Sequence, residues 1–288
     1  MKSDEAPSEP AADLPRESTR TILFQFVVFP LGVVLVGVAV FLLFGAIASE
    51  EHSMNEYVQD IRTGSRQRRW QAAYQLSQSL NRGEAKGNRD IQLQVEQLYR
   101  DSKTDDPQVR RYLSMVLGKL GGKTATPLLI EGLRDADIQS RLFALLALGE
   151  LRDIRALPHV TALLDDPESD MRKTAAYVLG QLGDRRAISP LTRAMQDETP
   201  DVRWNAAVAL ARMGDRASSP VLLEMMDRSR LDAMTGLRED QRENAMIVAI
   251  SAYRTLVGGE SDARLREIAA KDRSLRVRAA AISALKSS

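Results

Sequence analysis

The chain has 288 residues, of which 44% are hydrophobic and 27% are charged, which is enough apolar material for one sizeable elongated domain. It has no cysteine and only two histidines, so the composition excludes a disulfide framework, a thiol nucleophile and a Cys/His zinc site. The 40 basic and 39 acidic residues nearly balance, and this balance does not favour binding to nucleic-acid phosphates.

Residues 1–20 are polar and carry three prolines, Pro7, Pro10 and Pro15. A segment of this composition cannot bury enough apolar surface to offset the entropy lost on folding. The sequence therefore predicts a disordered tail over residues 1–20.

Residues 21–49 carry no charge, and Ile22 to Ala48 form an almost wholly apolar run. As a helix this run is about 40 Å long, against about 30 Å for the hydrocarbon core of a bilayer. We therefore expect a single transmembrane helix over residues 21–49 and a location in the cell (inner) membrane. The alternative is a cleaved signal peptide, because Ala46-Ile47-Ala48 has the small-x-small form, although the run exceeds the usual apolar segment of about 7–15 residues.

Arginines near the two ends of this segment bear on its orientation. Arg16 and Arg20 flank the N-terminal end, whereas Arg62 stands among acidic residues beyond the C-terminal end. Since cytoplasmic flanks are enriched in basic residues, this pattern favours a repeat region on the extracytoplasmic side. The bias disappears when three further arginines are counted, namely Arg66, Arg68 and Arg69.

One unit of sequence is repeated four times between residues 107 and 227. Its arginines are spaced 31 residues apart: Arg110, Arg141, Arg172 and Arg203. A small residue follows each arginine eight positions later: Gly118, Gly149, Gly180 and Ala211. A proline then opens the next segment: Pro127, Pro158, Pro190 and Pro220. A fixed period of this length indicates stacked supersecondary units.

Each unit predicts two helices. Counted from the arginine, apolar residues of the second helix fall at −1, +3, +7 and +10, as in Met171, Ala175, Leu179 and Leu182, which is the period of one buried face. The first helix begins near the proline, which is tolerated in a first helical turn. Because neither helix can bury its stripe alone, we expect an all-α solenoid of six or seven stacked pairs over residues 50–288.

The stretches Asp170–Asp184 and Asp201–Asp215 resemble HEAT repeats, specifically the short HEAT-like repeats also found in phycobilin lyases. The resemblance implies a right-handed α-solenoid of HEAT-like helix pairs, here preceded by the single transmembrane helix. It is specific for architecture and poor evidence for any one activity, because such folds serve many unrelated functions.

Each repeated arginine follows an acidic turn, as Asp135 and Asp137 precede Arg141. The planar guanidinium suits carboxylates and turn carbonyls. We therefore expect a structural ladder that joins successive units, with ligand binding as the alternative role, for Arg110, Arg141, Arg172 and Arg203.

Six of the nine aromatic residues after residue 49 take related positions on the second helices. They lie at +1, +2 or +5 from their arginines: Trp70, Tyr74, Tyr112, Phe143, Tyr177 and Trp204. In a HEAT-like solenoid this side lines the concave surface, and exposed aromatics there would form a groove for a protein partner. The alternative is that the rings fill space between successive second helices. Trp70, Tyr177 and Trp204 are the residues we most expect to be exposed.

No two carboxylates stand at catalytic spacing within an otherwise apolar stretch, so we expect no catalytic residues, no cofactor and no metal. The sequence favours a membrane-anchored scaffold or adaptor that binds a protein partner within a membrane-associated complex and does not bind nucleic acid. The alternative is a catalytic or non-catalytic subunit related to phycobilin lyases, although a lyase would not be expected to carry a membrane anchor.

Overall fold

The computed structural model describes residues 28–48, 53–81, 88–104, 106–257 and 262–286. These residues fall into two compact units, which divide between His52 and Ser53. The predicted tail over residues 1–20 lies outside the described residues. Within them every regular element is a helix, as the repeat pattern predicted.

The first unit contributes one helix, α1 (Phe29–Ala48), which is shorter than the charge-free run of residues 21–49. In the part of the chain that the structure describes, no helix combines the length and the apolarity that a membrane crossing needs. The transmembrane helix expected over residues 21–49 is therefore not found among the described residues, and the predicted location in the cell membrane is wrong. The prediction rested on the whole run forming one helix, and residues 21–27 and Ser49 lie outside the described residues.

The described residues of the second unit form seven helix pairs. In chain order they are α2 (Met54–Thr63) with α3 (Arg66–Asn81), α4 (Arg89–Asp101) with α5 (Pro107–Leu120), α6 (Ala125–Gly132) with α7 (Ile138–Leu151), α8 (Leu157–Ala162) with α9 (Ser169–Leu182), α10 (Ile188–Ala194) with α11 (Pro200–Arg212), α12 (Ser219–Met225) with α14 (Glu239–Val257), and α15 (Asp262–Lys271) with α16 (Leu275–Lys286). A short extra helix, α13 (Arg228–Ala233), separates α12 from α14. The predicted HEAT-like helix pairs are confirmed, whereas the right-handed sense of the stack stays a prediction.

Local chemistry sets the ends of the second helices. Pro107 opens α5, where the missing backbone donor does no harm, and the side chain of Asp137 accepts from the Ser140 amide to cap α7. Helices α5 and α9 end at Gly121 and Gly183, both with positive φ. Helix α7 ends instead at Arg152, which adopts a left-handed conformation without the freedom of glycine.

Successive second helices pack directly on one another from α3 through α5, α7, α9, α11 and α14 to α16. The repeated small residues permit this packing. A Cβ added at Gly118 would lie 3.0 Å from the Cα of Ala147, and one added at Gly180 would lie 2.8 Å from the Cβ of Ala209. The position eight residues after each arginine is thus small because the next helix approaches there.

Candidate partner-binding face

The side of the second helices that carries the predicted aromatic residues is called here the second-helix face. Four rings from three helices meet on it, and we call Trp70, Tyr74, Tyr112 and Phe143 the aromatic cluster. The Tyr112 ring centroid lies 6.4 Å from that of Trp70, 5.3 Å from that of Tyr74 and 6.1 Å from that of Phe143. Edge-to-face and offset rings at these distances attract one another. Tyr74 is exposed and the other three are half-buried, so the rings both fill space between helices and present edges to solvent.

An apolar pocket of about 250 Å³ lies beside this cluster, and we call it the α7–α9 pocket. Phe143 belongs to the aromatic cluster and also lines the pocket, together with Leu146 and Tyr177. Gln181 donates through Nε2 to the Tyr177 hydroxyl at 2.8 Å, and Arg212 lies 5.9 Å from the Tyr177 ring centroid. Tyr177 is half-buried. The two contacts hold its ring at the edge of the pocket.

A second pocket, the α11–α14 pocket, has a volume of about 290 Å³ and contains Trp204 in its lining. Trp204 was expected to be exposed, but only 6% of its surface is accessible. The helix pair that contains the extra helix α13 accounts for the difference, because its second helix α14 packs on α11 and brings Ala245, with Leu237 just before α14, beside the same pocket. The indole Nε1 is buried and finds no acceptor among the described residues.

Selecting aromatic residues alone missed part of this face. Leu146, 41% exposed, and Val208 both lie five positions after their arginines, as Tyr74 and Tyr177 do, and each lines one of the two pockets. The same positional rule applied to every apolar residue would have found them. Leu237 lies in the connection between α13 and α14, which has no counterpart in the 31-residue repeat.

Two of the ladder arginines join successive units through buried contacts. Arg172 donates to both carboxylate oxygens of Asp197, through Nε at 2.8 Å and Nη2 at 3.1 Å. Its Nη1 reaches the backbone carbonyls of Asp166 and Pro167. Arg110 donates through Nε to Asp135 at 2.6 Å and lies over the Tyr99 ring. These contacts match the expected bridge between carboxylates and turn carbonyls.

The other two ladder arginines are less completely paired. Arg203 donates to the carbonyls of Asp197 and Glu198 and lies 3.9 Å from a carboxylate oxygen of Glu224. The Nε of Arg141 is buried with no hydrogen-bond partner in the described part of the chain. The ladder is thus weakest on α7, the helix that also lines the apolar pocket.

Two carboxylates on the turns between units have lowered pKa values, which favours their ionised form. The hydrogen bond from Arg172 lowers the pKa of Asp197, against the opposing effect of burial. Hydrogen bonding from Arg111 likewise lowers the pKa of Asp137 to about 2. Such groups suit structural pairing at neutral pH. No cluster of three or more metal-ligating side chains occurs within the described ranges, and the expectation of no cofactor stays a prediction.

Known proteins share this architecture. Two overlapping matches to the HEAT repeats model cover residues 95–177 and 162–238, which together span half of the chain. The chain belongs to the HEAT-repeat family. No curated protein sequence matches it.

Three solved structures are similar to this HEAT-repeat protein at low sequence identity, and the first has the same fold. The structure of the complex of CpcE and CpcF of phycocyanin lyase from Nostoc sp. matches with 18% identity and a TM-score of 0.55, over 83% of this chain and 96% of that chain. The Escherichia coli protein YibA matches with 17% identity and a TM-score of 0.48, over 84% of both chains. A designed armadillo repeat protein in complex with a (KR)4 peptide matches with 19% identity and a TM-score of 0.43, over 70% of this chain and 100% of that chain.

Proposed function

We propose that the HEAT-repeat unit is a non-enzymatic scaffold that binds a protein partner through its second-helix face. The observation that carries the proposal is the continuity of apolar surface from the aromatic cluster into the α7–α9 pocket through the shared residue Phe143. Aromatic and aliphatic groups gathered around a pocket supply most of the affinity in protein interfaces. The similarity to phycocyanin lyase concerns the fold, and it carries no catalytic residue over to this chain.

Two substitutions on the second-helix face test this proposal. The tagged full chain is expressed in the organism that it comes from, and the partner is captured by cross-linking. The dissociation constant of the complex is then measured with purified proteins. Tyr74→Ala and Leu146→Asp are each expected to weaken binding by at least about tenfold, with helicity and melting temperature unchanged, because both side chains are exposed.

Leu93→Asp is the matched control, since Leu93 is 52% exposed on the first helix α4. The proposal fails if both substitutions on the second-helix face leave binding intact, or if Leu93→Asp weakens it equally. The lyase-related alternative would instead give the purified protein the absorbance of a bound bilin after mixing with chromophore.

A further inference from the structure

The packing of α7 on α9 departs from the rule that its neighbours follow. In the α5–α7 and α9–α11 contacts, a glycine faces an alanine: Gly118 with Ala147, and Gly180 with Ala209. In the α7–α9 contact, Gly149 faces the larger Val178 and the side chain of Gln181. The α7–α9 pocket lies at this contact. Its volume of about 250 Å³ is below the roughly 300–1,000 Å³ of small-molecule sites and suits one large apolar side chain.

The α11–α14 pocket has a different chemistry. Asp201 lines it, is exposed and has no ion pair within the described residues, and no lysine or arginine lines the pocket. Gln241 accepts through Oε1 from the Arg238 amide, and Asn244 accepts through Oδ1 from Arg276. Within the described residues the side-chain NH2 groups of Gln241 and Asn244 donate to no acceptor, so they remain available to a ligand.

Asn205 complements these donors. Its Nδ2 donates to the Asp201 carbonyl at 2.8 Å, which leaves its side-chain oxygen as an acceptor. Free donors and a free acceptor match the C=O and N–H groups of an extended backbone, whereas a helix has already paired its own. The unpaired carboxylate of Asp201 favours a positive charge in the same ligand.

The spacing between the pockets limits the length of the ligand. They lie two helix intervals apart along the stack, at the α7–α9 and α11–α14 contacts. Helix axes pack about 8–10 Å apart, so the separation is about 16–20 Å. An extended chain rises about 3.3 Å per residue and covers this distance in about five or six residues.

We infer that the second-helix face binds an extended peptide segment of a partner protein, which places a large apolar side chain in the α7–α9 pocket and a lysine or arginine beside Asp201, about five or six residues away. This inference rests on the proposed function and specifies the partner's chemistry. The α11–α14 pocket binds the backbone and the positive charge of the segment, and the α7–α9 pocket binds its apolar side chain.

A random peptide library displayed on phage tests the inference on the full chain. The library is first depleted on a Leu146→Asp/Asp201→Arg variant, which removes peptides that bind elsewhere on the molecule. The enriched peptides are expected to share an apolar and a basic residue about five or six positions apart. Leu146→Asp and Asp201→Asn should each weaken the best peptide by about tenfold, and Leu93→Asp should not.

The outcomes of these experiments distinguish failure of the inference from failure of the proposed function. Enriched peptides without the apolar–basic spacing, or helical peptides that bind more tightly, overturn the inference. So does equal binding of the best peptide after its basic residue is changed to glutamate. No enrichment at all overturns the inference as well. The proposed function is overturned separately, when the captured partner binds the Tyr74→Ala and Leu146→Asp proteins as it binds the parent chain.

Discussion

The ladder arginines differ in how fully their guanidinium groups are used. Arg172 is 12% exposed at its side chain and pairs both oxygens of Asp197, whereas the buried Nε of Arg141 has no partner in the described part of the chain. Removing a paired guanidinium leaves its carboxylate and carbonyl partners unsatisfied. A guanidinium with fewer bonds leaves fewer groups unsatisfied when it is removed.

We therefore expect Arg172→Ala to lower the free energy of unfolding by roughly 1–3 kcal/mol, and Arg141→Ala to lower it by less. Urea denaturation followed by far-UV circular dichroism measures both. Equal losses would contradict the structural account of the ladder. Unchanged stability with lost partner binding in Arg172→Ala would assign that arginine to the binding face.

Sequence reasoning worked where a residue's surroundings repeat with the period of the chain. The acidic turn of the following unit supplies the carboxylate partner of Arg110 and of Arg172, as a ladder between units requires, and four of the six aromatic residues singled out at +1, +2 and +5 meet in the aromatic cluster. It did not predict the burial of Trp204, because the sixth helix pair departs from the 31-residue spacing and Leu237, which lies in the connection between α13 and α14, lines the same pocket as the ring. It also did not predict the α7–α9 pocket, because the side chains that line it come from three different helices and meet only in the folded stack.

At the scale of elements, the spacing between second helices is set by pairs of small residues. An alanine Cβ at position 118 would lie 3.0 Å from the Cα of Ala147 and 3.1 Å from its carbonyl oxygen. Backbone atoms cannot move aside without shifting the whole helix. At Gly149 the nearest atom is the side-chain oxygen of Gln181, the far end of a flexible chain.

Gly118→Ala is therefore expected to destabilise the fold by roughly 1–3 kcal/mol, even though alanine favours a helix by about 1 kcal/mol. Gly149→Ala, the matched comparison, should cost less, because Gln181 can turn away and the remaining close contact, Val178 Cγ2 at 3.2 Å, is a side-chain atom and not backbone. Thermal melting of the two variants beside the parent protein measures the difference. A larger loss for Gly149→Ala would show that the two contacts have been ranked in the wrong order.

At the scale of the whole molecule, the seven described helix pairs are joined mainly to their neighbours. In such an array, stability is close to a sum of unit terms and nearest-neighbour contacts. The last two units are joined by Asp272, which is 8% exposed and accepts from Arg228 at 2.7 Å and from the Ser274 amide at 2.9 Å. A change there should act first on the units close to it.

The two tryptophans of the chain can report on this locality, because Trp70 lies on α3 in the first helix pair and Trp204 on α11 in the fifth helix pair. Trp70→Phe leaves Trp204 as the only reporter, and Trp204→Phe leaves Trp70. In these two backgrounds Asp272→Asn weakens the acceptor of a charge-assisted bond. We expect the urea midpoint followed by Trp204 fluorescence to fall, while the midpoint followed by Trp70 stays nearly constant, because several unit contacts separate α3 from the altered site. Equal shifts at both tryptophans would instead show that the array unfolds as one cooperative body.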